Sequence, residues 1–324
     1  MMIDAKKLPV VTSSSRFPMT SYPRGWYFIE YSTELAKGAV KTVRYFGREL
    51  VLARTASGAA MVTDPHCPHL GAHLGHGGTV RGEALVCPFH GWEFGTNGRC
   101  TKIPYDERIP HKAALTTWHV REHDGGIYVW FDLRGGEPTH EPPRIPTFEG
   151  HPFRRFTKTR NWVVRTHLQE ITENGLDSAH FETVHKLGLP TRSESSEAEA
   201  QPFVLKQEYD APYFGLSAKL TVLLHEPGVH HTITELGSAG AIVLSTLTPV
   251  DEDHIHHRFS FVAKRSRVNP LGRILTEFMM REAARQYEQD IPIWENKKYL
   301  ERPVLCSKDG EIHKVREWMR KFYD

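Results

Sequence analysis

Residues 66–78 read HCPHLGAHLGHGG and residues 87–100 read CPFHGWEFGTNGRC. The first stretch offers Cys67 and His69, and the second offers Cys87 and His90. Each half thus supplies one thiolate and one imidazole from a tight loop in which proline follows the cysteine. Glycines at 71, 75, 77, 78 and 91 crowd both loops, as expected where backbone folds closely over a compact group. Around them, short β-like runs alternate with turn signals: WYFIEY, KTVRYF, ELVLAR, AAMVTD, ALVCPF and GIYVWF, between Gly25 and Asp132. Runs of this length broken by glycine predict a small all-β domain.

Four such ligands admit two metal readings. A Cys2His2 zinc site is tetrahedral and structural, and it usually pairs cysteine with cysteine and histidine with histidine. Mixed halves match a Rieske two-iron, two-sulfur (2Fe-2S) cluster instead. There, two histidines replace two cysteines on one iron and raise the reduction potential. The spacing therefore predicts a 2Fe-2S cluster on Cys67, His69, Cys87 and His90. His66, His73 and His76 lie outside the pattern and are expected to be exposed or hydrogen-bonded to nearby backbone. Cys100 and Cys306 have no comparable setting and read as ordinary thiols. Four cysteines in 324 residues are too few for a disulfide scaffold.

The chain is long enough for two domains, and its 39% apolar and 25% charged residues are those of a globular protein. Its 41 basic and 39 acidic residues are interspersed, leaving a net charge of +2 and no block that reads as a nucleic-acid arm. The start, MMIDAKKLPVVTSSSRF, lacks the apolar run of a secretory signal. No stretch approaches the roughly 18 uninterrupted apolar residues of a membrane span. A cytoplasmic location is the expectation.

Residues 134–152, RGGEPTHEPPRIPTFEGHP, read as a linker or extended crossing segment. A strand is expected in FRRFTKTRNWVVRTH, then helical spacing over HLQEITENGLDSAHFETVH, with Leu168, Ile171, Leu176, Ala179 and Phe181 as its apolar set. Residues 190–201 read as a polar loop. Further strands are expected in FVLKQEY, GLSAKLTVLL, HHTITEL, AIVLSTLTPV and HIHHRFSFVAK, and a helix in LGRILTEFMMREAARQYEQD. The fold class is α+β: an all-β cluster domain over 25–135 and an antiparallel sheet covered by helices over 136–324. Residues 1–24 are expected to pack on the second domain.

The stretch ENGLDSAHFETVH holds a second constellation: Asn174, Asp177, His180 and His185. Positions 174, 177 and 180 would share one side of a continuous helix. His180 and His185 would lie roughly 140° apart around an ideal helix. Both reach one ion only if the helix ends or widens between them. Two imidazoles need a carboxylate to make a facial triad with open positions, and spacing alone does not choose it. Taken alone, two histidines and an aspartate on a helix are more often structural than ligating.

CPHLGAHLG followed by CPFHGWEFGTNGRC resembles the Rieske domain of the Rieske non-haem iron oxygenases, and Asn-x-x-Asp-x-x-His-x4-His resembles their catalytic motif. The resemblance runs over nearly the whole chain. It implies a helix-grip-like catalytic domain with one mononuclear Fe(II), held by His180, His185 and a downstream aspartate. QYEQDIPIWENK matches that segment at Asp290, with Glu288 as the competitor. Asn174 would stand beside the ligands. Asp177 would link the iron of one subunit to the cluster of its neighbour, because cluster and iron of one chain are too far apart in that family. A homotrimer follows.

The same resemblance implies the terminal component of a monooxygenase, using O2 and electrons from a separate NAD(P)H-dependent reductase, directly or through a ferredoxin. The chain has no Gly-x-Gly-x-x-Gly after a strand and no Walker-type loop, so no bound flavin or NAD is expected. The stretch YEQDIPIWENKKYLERPVLCSKDGEIHKVREWMRKFY is similar to the ends of the 3-ketosteroid 9-alpha-hydroxylase and cholesterol 7-desaturase group. The implied reaction is hydroxylation of an unactivated C–H bond in a steroid or similar apolar polycycle. Desaturation, or a non-steroid aromatic or alicyclic substrate, is the alternative within the family. An electron-transfer protein without mononuclear iron, or a zinc-stabilised binding module, is the alternative of another class. The 203–263 sheet with Ile171, Leu176 and Phe181 is expected to line the substrate pocket. His230, His231, His254, His256 and His257 alternate across strand faces and read as surface or pocket-polar residues rather than a further metal site.

Overall fold

The structure, a computed structural model, describes residues 16–19, 22–147, 155–197, 202–211, 216–237, 239–264, 270–306, 309 and 312–323. The expected packing of the segment before Arg16 lies outside these residues. Two compact units emerge, one running Trp26–Pro142 and one running Pro143–Asp324 together with the segment that ends at Gly25. The cut falls inside the proline-rich stretch, where missing N–H donors keep the chain out of any sheet.

The first unit is built from ten strands: β1 (Gly25–Tyr31), β2 (Val40–Tyr45), β3 (Arg48–Arg54), β4 (Ala60–Thr63), β5 (Thr79–Arg81), β6 (Ala84–Val86), β7 (Glu93–Phe94), β8 (Cys100–Lys102), β9 (Val120–His123) and β10 (Gly126–Phe131). They form three small sheets, ordered β1-β10-β9, β2-β3-β4 and β5-β6-β7-β8. Trp26, Tyr27, Phe28, Tyr128 and Trp130 are buried on both faces of the first sheet, so these strands read as continuous apolar runs. The β2–β3 hairpin turns through Phe46 and Gly47, both at positive φ (54° and 69°), the twist that two-residue hairpins favour. Phe46 is fully buried and stacks on Phe131 at 4.8 Å, which offsets the cost of that backbone.

The second unit runs β11 (Lys158–Val164), α1 (Leu168–Asn174), α2 (Ala179–Thr183), β12 (Arg192–Ser196), β13 (Phe203–Ala211), β14 (Leu216–Glu226), β15 (Val229–Leu236), β16 (Ala239–Pro249), β17 (Ile255–Ala263), α3 (Pro270–Asn296) and α4 (Ile312–Arg320). All seven strands join one antiparallel sheet in the order β11-β17-β16-β15-β14-β13-β12. β11 and β12 occupy opposite edges, so α1 and α2 connect one edge to the other. α3 covers the sheet, with Met280 against Ala241, Val243 and Phe261. Arg16 caps its far end, donating to the carbonyls of Trp294 (2.6 Å) and Lys297 (3.0 Å).

Two expectations need correction. Within residues 190–201, Arg192–Ser196 is not loop but the exposed edge strand β12, registered from Arg192 opposite Glu208 to Ser196 opposite Val204. An edge strand is kept polar to block further pairing, and that composition hides it. The helical run over 167–185 is also two short helices rather than one. Gly175 ends α1, and Asp177 Oδ1 accepts the Ala179 amide at 2.9 Å to start α2. Asp177 therefore sits in a turn, not on a continuous helical face with Asn174 and His180.

Candidate metal centres

The two cysteine–histidine loops are built alike. The Cys67 carbonyl accepts the Gly71 amide at 3.0 Å, and the Cys87 carbonyl accepts the Gly91 amide at 3.1 Å. Both glycines lie at positive φ (77° and 70°), where a side chain would strain the turn. Both cysteines are buried, and the His69 and His90 rings lie 4.7 Å apart. The Nδ1 atoms of both rings are buried with no hydrogen-bond partner among the described residues. Burial pushes the Cys67 thiol up to about 11, and neighbouring Cys87 adds to the rise. A thiolate there needs nearby positive charge, which a metal supplies. Two buried thiols with two orphaned imidazole nitrogens therefore fit a 2Fe-2S cluster.

Neighbours brace these ligands. Trp92 stacks on His69 at 4.5 Å and 8°, and its indole N–H donates to the Tyr105 hydroxyl at 2.8 Å. His73 accepts the Gly75 amide (3.1 Å) and pairs with Glu49 (3.2 Å), while its ring meets those of His66 and His76. Cys100 is buried in the same core and lies against the Lys102 carbonyl, whereas Cys306 is exposed.

In the second unit, α2 ends at Thr183, between His180 and His185. That break lets the two imidazoles converge, with ring centroids 5.0 Å apart. Asp290 of α3 joins them, and one ligand atom from each of the three lies within 4.8 Å of the others. His185 Nε2 is 3.4 Å from Asp290 Oδ1, a buried oxygen without a hydrogen bond. Such a donor set, two imidazoles and an unsatisfied carboxylate, fits a divalent cation with positions left open. Glu288 lies elsewhere, where the Trp162 indole N–H reaches it at 3.4 Å.

Asn174 ends α1 with its amide nitrogen 3.1 Å from Asp290 Oδ2 and 3.2 Å from His180 Nε2. Gln289 Oε1 meets His185 Nδ1 at 3.1 Å. Burial would lower the His185 imidazole, but the adjacent Asp290 carboxylate and the Gln289 side chain outweigh it and raise the pKa. Asp177 Oδ2 lies 3.4 Å from His180 Nδ1, within charge-pairing distance but poorly aligned for a hydrogen bond. Burial pushes the Asp177 carboxyl up; His180 and the amides of Ala179 and His180 outweigh that and hold it below its ordinary value. Sequence reasoning missed Gln289, although it directly precedes Asp290. It also missed Glu173 and Arg316, a buried pair behind Asn174 that no spacing rule could reveal.

The Rieske 2Fe-2S domain family matches residues 25–118, and the 3-Ketosteroid 9alpha-hydroxylase C-terminal domain family matches residues 129–323. The chain belongs to the Rieske oxygenases. Among the relatives of this oxygenase, the cholesterol 7-desaturase of Caenorhabditis elegans is 34% identical over 336 residues, covering 93% of this chain and 77% of that protein. The 3-ketosteroid-9-alpha-monooxygenase oxygenase component of Rhodococcus rhodochrous is 30% identical, covering 93% and 80% respectively. Dicamba monooxygenase bound to 3,6 dichlorosalicylic acid shares the fold, with a TM-score of 0.73, 19% identity, and coverage of 92% of this chain and 96% of that one. Pseudomonas putida CBB5 NdmA, as the QL mutant with caffeine, shares it at a TM-score of 0.72 and 21% identity, covering 92% and 90%.

As a Rieske oxygenase, the chain is the terminal component of an O2-dependent system. It works with a Rieske cluster and a mononuclear iron, and a reductase partner supplies its electrons. Among the described residues, no helix is long and apolar enough to cross a membrane.

Proposed function

We propose that this oxygenase hydroxylates a C–H bond of a steroid or similarly rigid apolar polycycle. In this reading His180, His185 and Asp290 hold the mononuclear iron, and Cys67, His69, Cys87 and His90 hold the cluster. The observation that carries it is the convergence of His180, His185 and Asp290, from α2, the turn after it and α3, into one largely buried group. When bound, the cluster and iron supply the electrons and the O2-derived oxidant that break the C–H bond.

The chain's own residues orient and exclude. Asn174 donates to Asp290 Oδ2, leaving Oδ1 turned toward His185. Gln289 accepts from His185 Nδ1–H in the tautomer that frees Nε2. The inner sheet face beside α3 carries Leu224, Val243 and Phe259, which suit an apolar skeleton and keep water out. Asp177, beside His180, serves in this reading as the link to a cluster histidine of a neighbouring subunit. That role calls for a closed ring of subunits, a trimer, with electrons arriving from an NAD(P)H-dependent reductase.

The steroid assignment is supported by the 3-ketosteroid and cholesterol enzymes among the relatives. The 34% identity to a cholesterol 7-desaturase favours a second reading, desaturation, which begins with the same hydrogen abstraction. A steroid panel, incubated with a surrogate reductase and NADH and analysed by mass, tests both. A product heavier by an oxygen atom supports hydroxylation; one lighter by a hydrogen pair supports desaturation. No conversion of any steroid, with brisk conversion of a small aromatic, would overturn the substrate class.

A further inference from the structure

The sheet face that meets α3 is interrupted by a buried polar cluster. Strand pairing sets His230 of β15 opposite Ser245 of β16, and Ser245 opposite Phe259 of β17. His257, two residues before Phe259, shares that face. Its Nε2 lies 2.6 Å from Ser245 Oγ. Tyr287 of α3, three residues before Asp290, sets its ring 4.5 Å from that of His257, nearly perpendicular at 81°. The four side chains are almost inaccessible: 5% exposed at His230, 7% at Ser245, 1% at His257 and 5% at Tyr287. Leu224, Val243, Leu247 and Phe259 lie on the same sheet face and give it apolar surface.

Three polar atoms of this cluster have no hydrogen-bond partner among the described residues: His230 Nε2, His257 Nδ1 and the Tyr287 hydroxyl. Buried polar atoms in native proteins are nearly always satisfied, so a polar partner belongs here. Burial pushes His230 down to about 3, with the charge of His225 adding to it, and pushes His257 well below its ordinary value. Both imidazoles are therefore neutral and offer no cation to a carboxylate. In the tautomer in which the Ser245 hydroxyl donates to Nε2, the proton of neutral His257 sits on Nδ1 as a donor. The Tyr287 hydroxyl is a second donor. Two donors suit one oxygen with two lone pairs.

We propose that Ser245, His257, Tyr287 and His230 form a substrate subsite for an uncharged oxygen substituent, a ketone or a hydroxyl, on the apolar polycycle. The subsite rests on the substrate class proposed above. Tyr287 and Asp290 lie one turn apart on α3, so a rigid ligand anchored by its oxygen at this cluster would lay its carbon skeleton beside the proposed iron ligands. The oxygen then fixes which C–H bond is presented.

The test uses the intact oxygenase with its reductase and three steroids of one skeleton, bearing a ketone, a hydroxyl or only hydrogen at one position. Tyr287→Phe, Ser245→Ala and His257→Phe are compared with the parent, each checked for an unchanged Rieske EPR signal. The expected result is a loss of about tenfold or more in kcat/KM on the oxygenated steroids and less than about twofold on the deoxy compound. A deficit confined to the ketone identifies a ketone subsite; one shared with the alcohol identifies an oxygen subsite of either kind. Equal losses on all three compounds would overturn the proposal and make the cluster a water-filled structural network. Tyr287→Phe removes a single oxygen atom, so it remains decisive if the histidine variant fails to fold. A parent enzyme that turns over none of the three steroids overturns the substrate class instead, and the subsite with it.

Discussion

Glu173 of α1 and Arg316 of α4 meet in a buried two-point pair, Nε to Oε1 at 2.8 Å and Nη2 to Oε2 at 2.9 Å. Glu173 precedes Asn174, so the pair fixes the last turn of α1 just where its side chain reaches His180 and Asp290. Gln169 also donates to Glu173 at 2.9 Å, and Arg316 Nη1 donates to the Leu300 carbonyl at 2.7 Å. Removing one partner leaves a buried charge uncompensated. Arg316→Met should therefore lower stability by about 3–5 kcal/mol. The double variant Glu173→Gln/Arg316→Met should recover most of that loss, since no charge is stranded. Urea unfolding followed by tryptophan fluorescence checks both; a single variant with an unshifted midpoint would show the pair to be inert.

The metal loops were legible because their ligands are local. Cys-x-His and Cys-x-x-His, each with proline after the cysteine and glycine four residues on, encode a loop geometry within five residues. The strands β13 to β17 and helix α3 were legible from their period. β12 was not, because an exposed edge strand has the composition of a loop. The end of α2 between His180 and His185 was anticipated as a demand of two histidines five residues apart; the break between α1 and α2 was not. Its position depends on Gly175 and on the Asp177 side chain capturing the Ala179 amide. Glu173–Arg316, His185–Gln289 and Ser245–His257 lay beyond reach, since each pair is chosen by how separate elements meet.

His167 makes stability depend on pH. It caps α1, its Nδ1 accepting the Gln169 amide at 3.2 Å, and burial pushes its pKa down from 6.5 to about 4. Between those values the unfolded chain binds a proton that the folded chain refuses, so stability falls as pH drops. The contribution is complete above pH 6.5, is diminished by about 2 kcal/mol at pH 5, and levels off below about pH 4. His167→Asn keeps an acceptor for the Gln169 amide but has no proton to gain. Its urea midpoint should change less between pH 7 and pH 5 than the parent's. Parallel pH dependences in the two proteins would refute the assignment.

His180→Ala should separate the two proposed metal sites. With the cluster loops untouched in another unit, the Rieske EPR signal should persist, while iron falls from about three to about two per chain. Substrate oxidation should drop below detection. A variant that keeps the third iron and normal turnover would remove His180 from the proposed triad and point to a different imidazole.

Asp177 presents a sharper question, because a helix-starting aspartate and an electron bridge predict different outcomes. Its Oδ1 accepts the Ala179 amide, and its Oδ2 faces His180 Nδ1. Asp177→Asn keeps the amide-accepting oxygen, so α2 should start as before and both metals should bind. What it removes is the second acceptor, the charge-bearing oxygen proposed to orient two imidazoles across a subunit boundary. Single-turnover re-oxidation of the reduced cluster should slow by about 10–100-fold, the range found when partners of metal ligands are replaced. A purely structural aspartate predicts a different pattern, with Asp177→Asn silent and only Asp177→Ala impaired, through lost iron and a lower unfolding midpoint. Unchanged cluster re-oxidation in Asp177→Asn would therefore reject the bridge while leaving the turn intact.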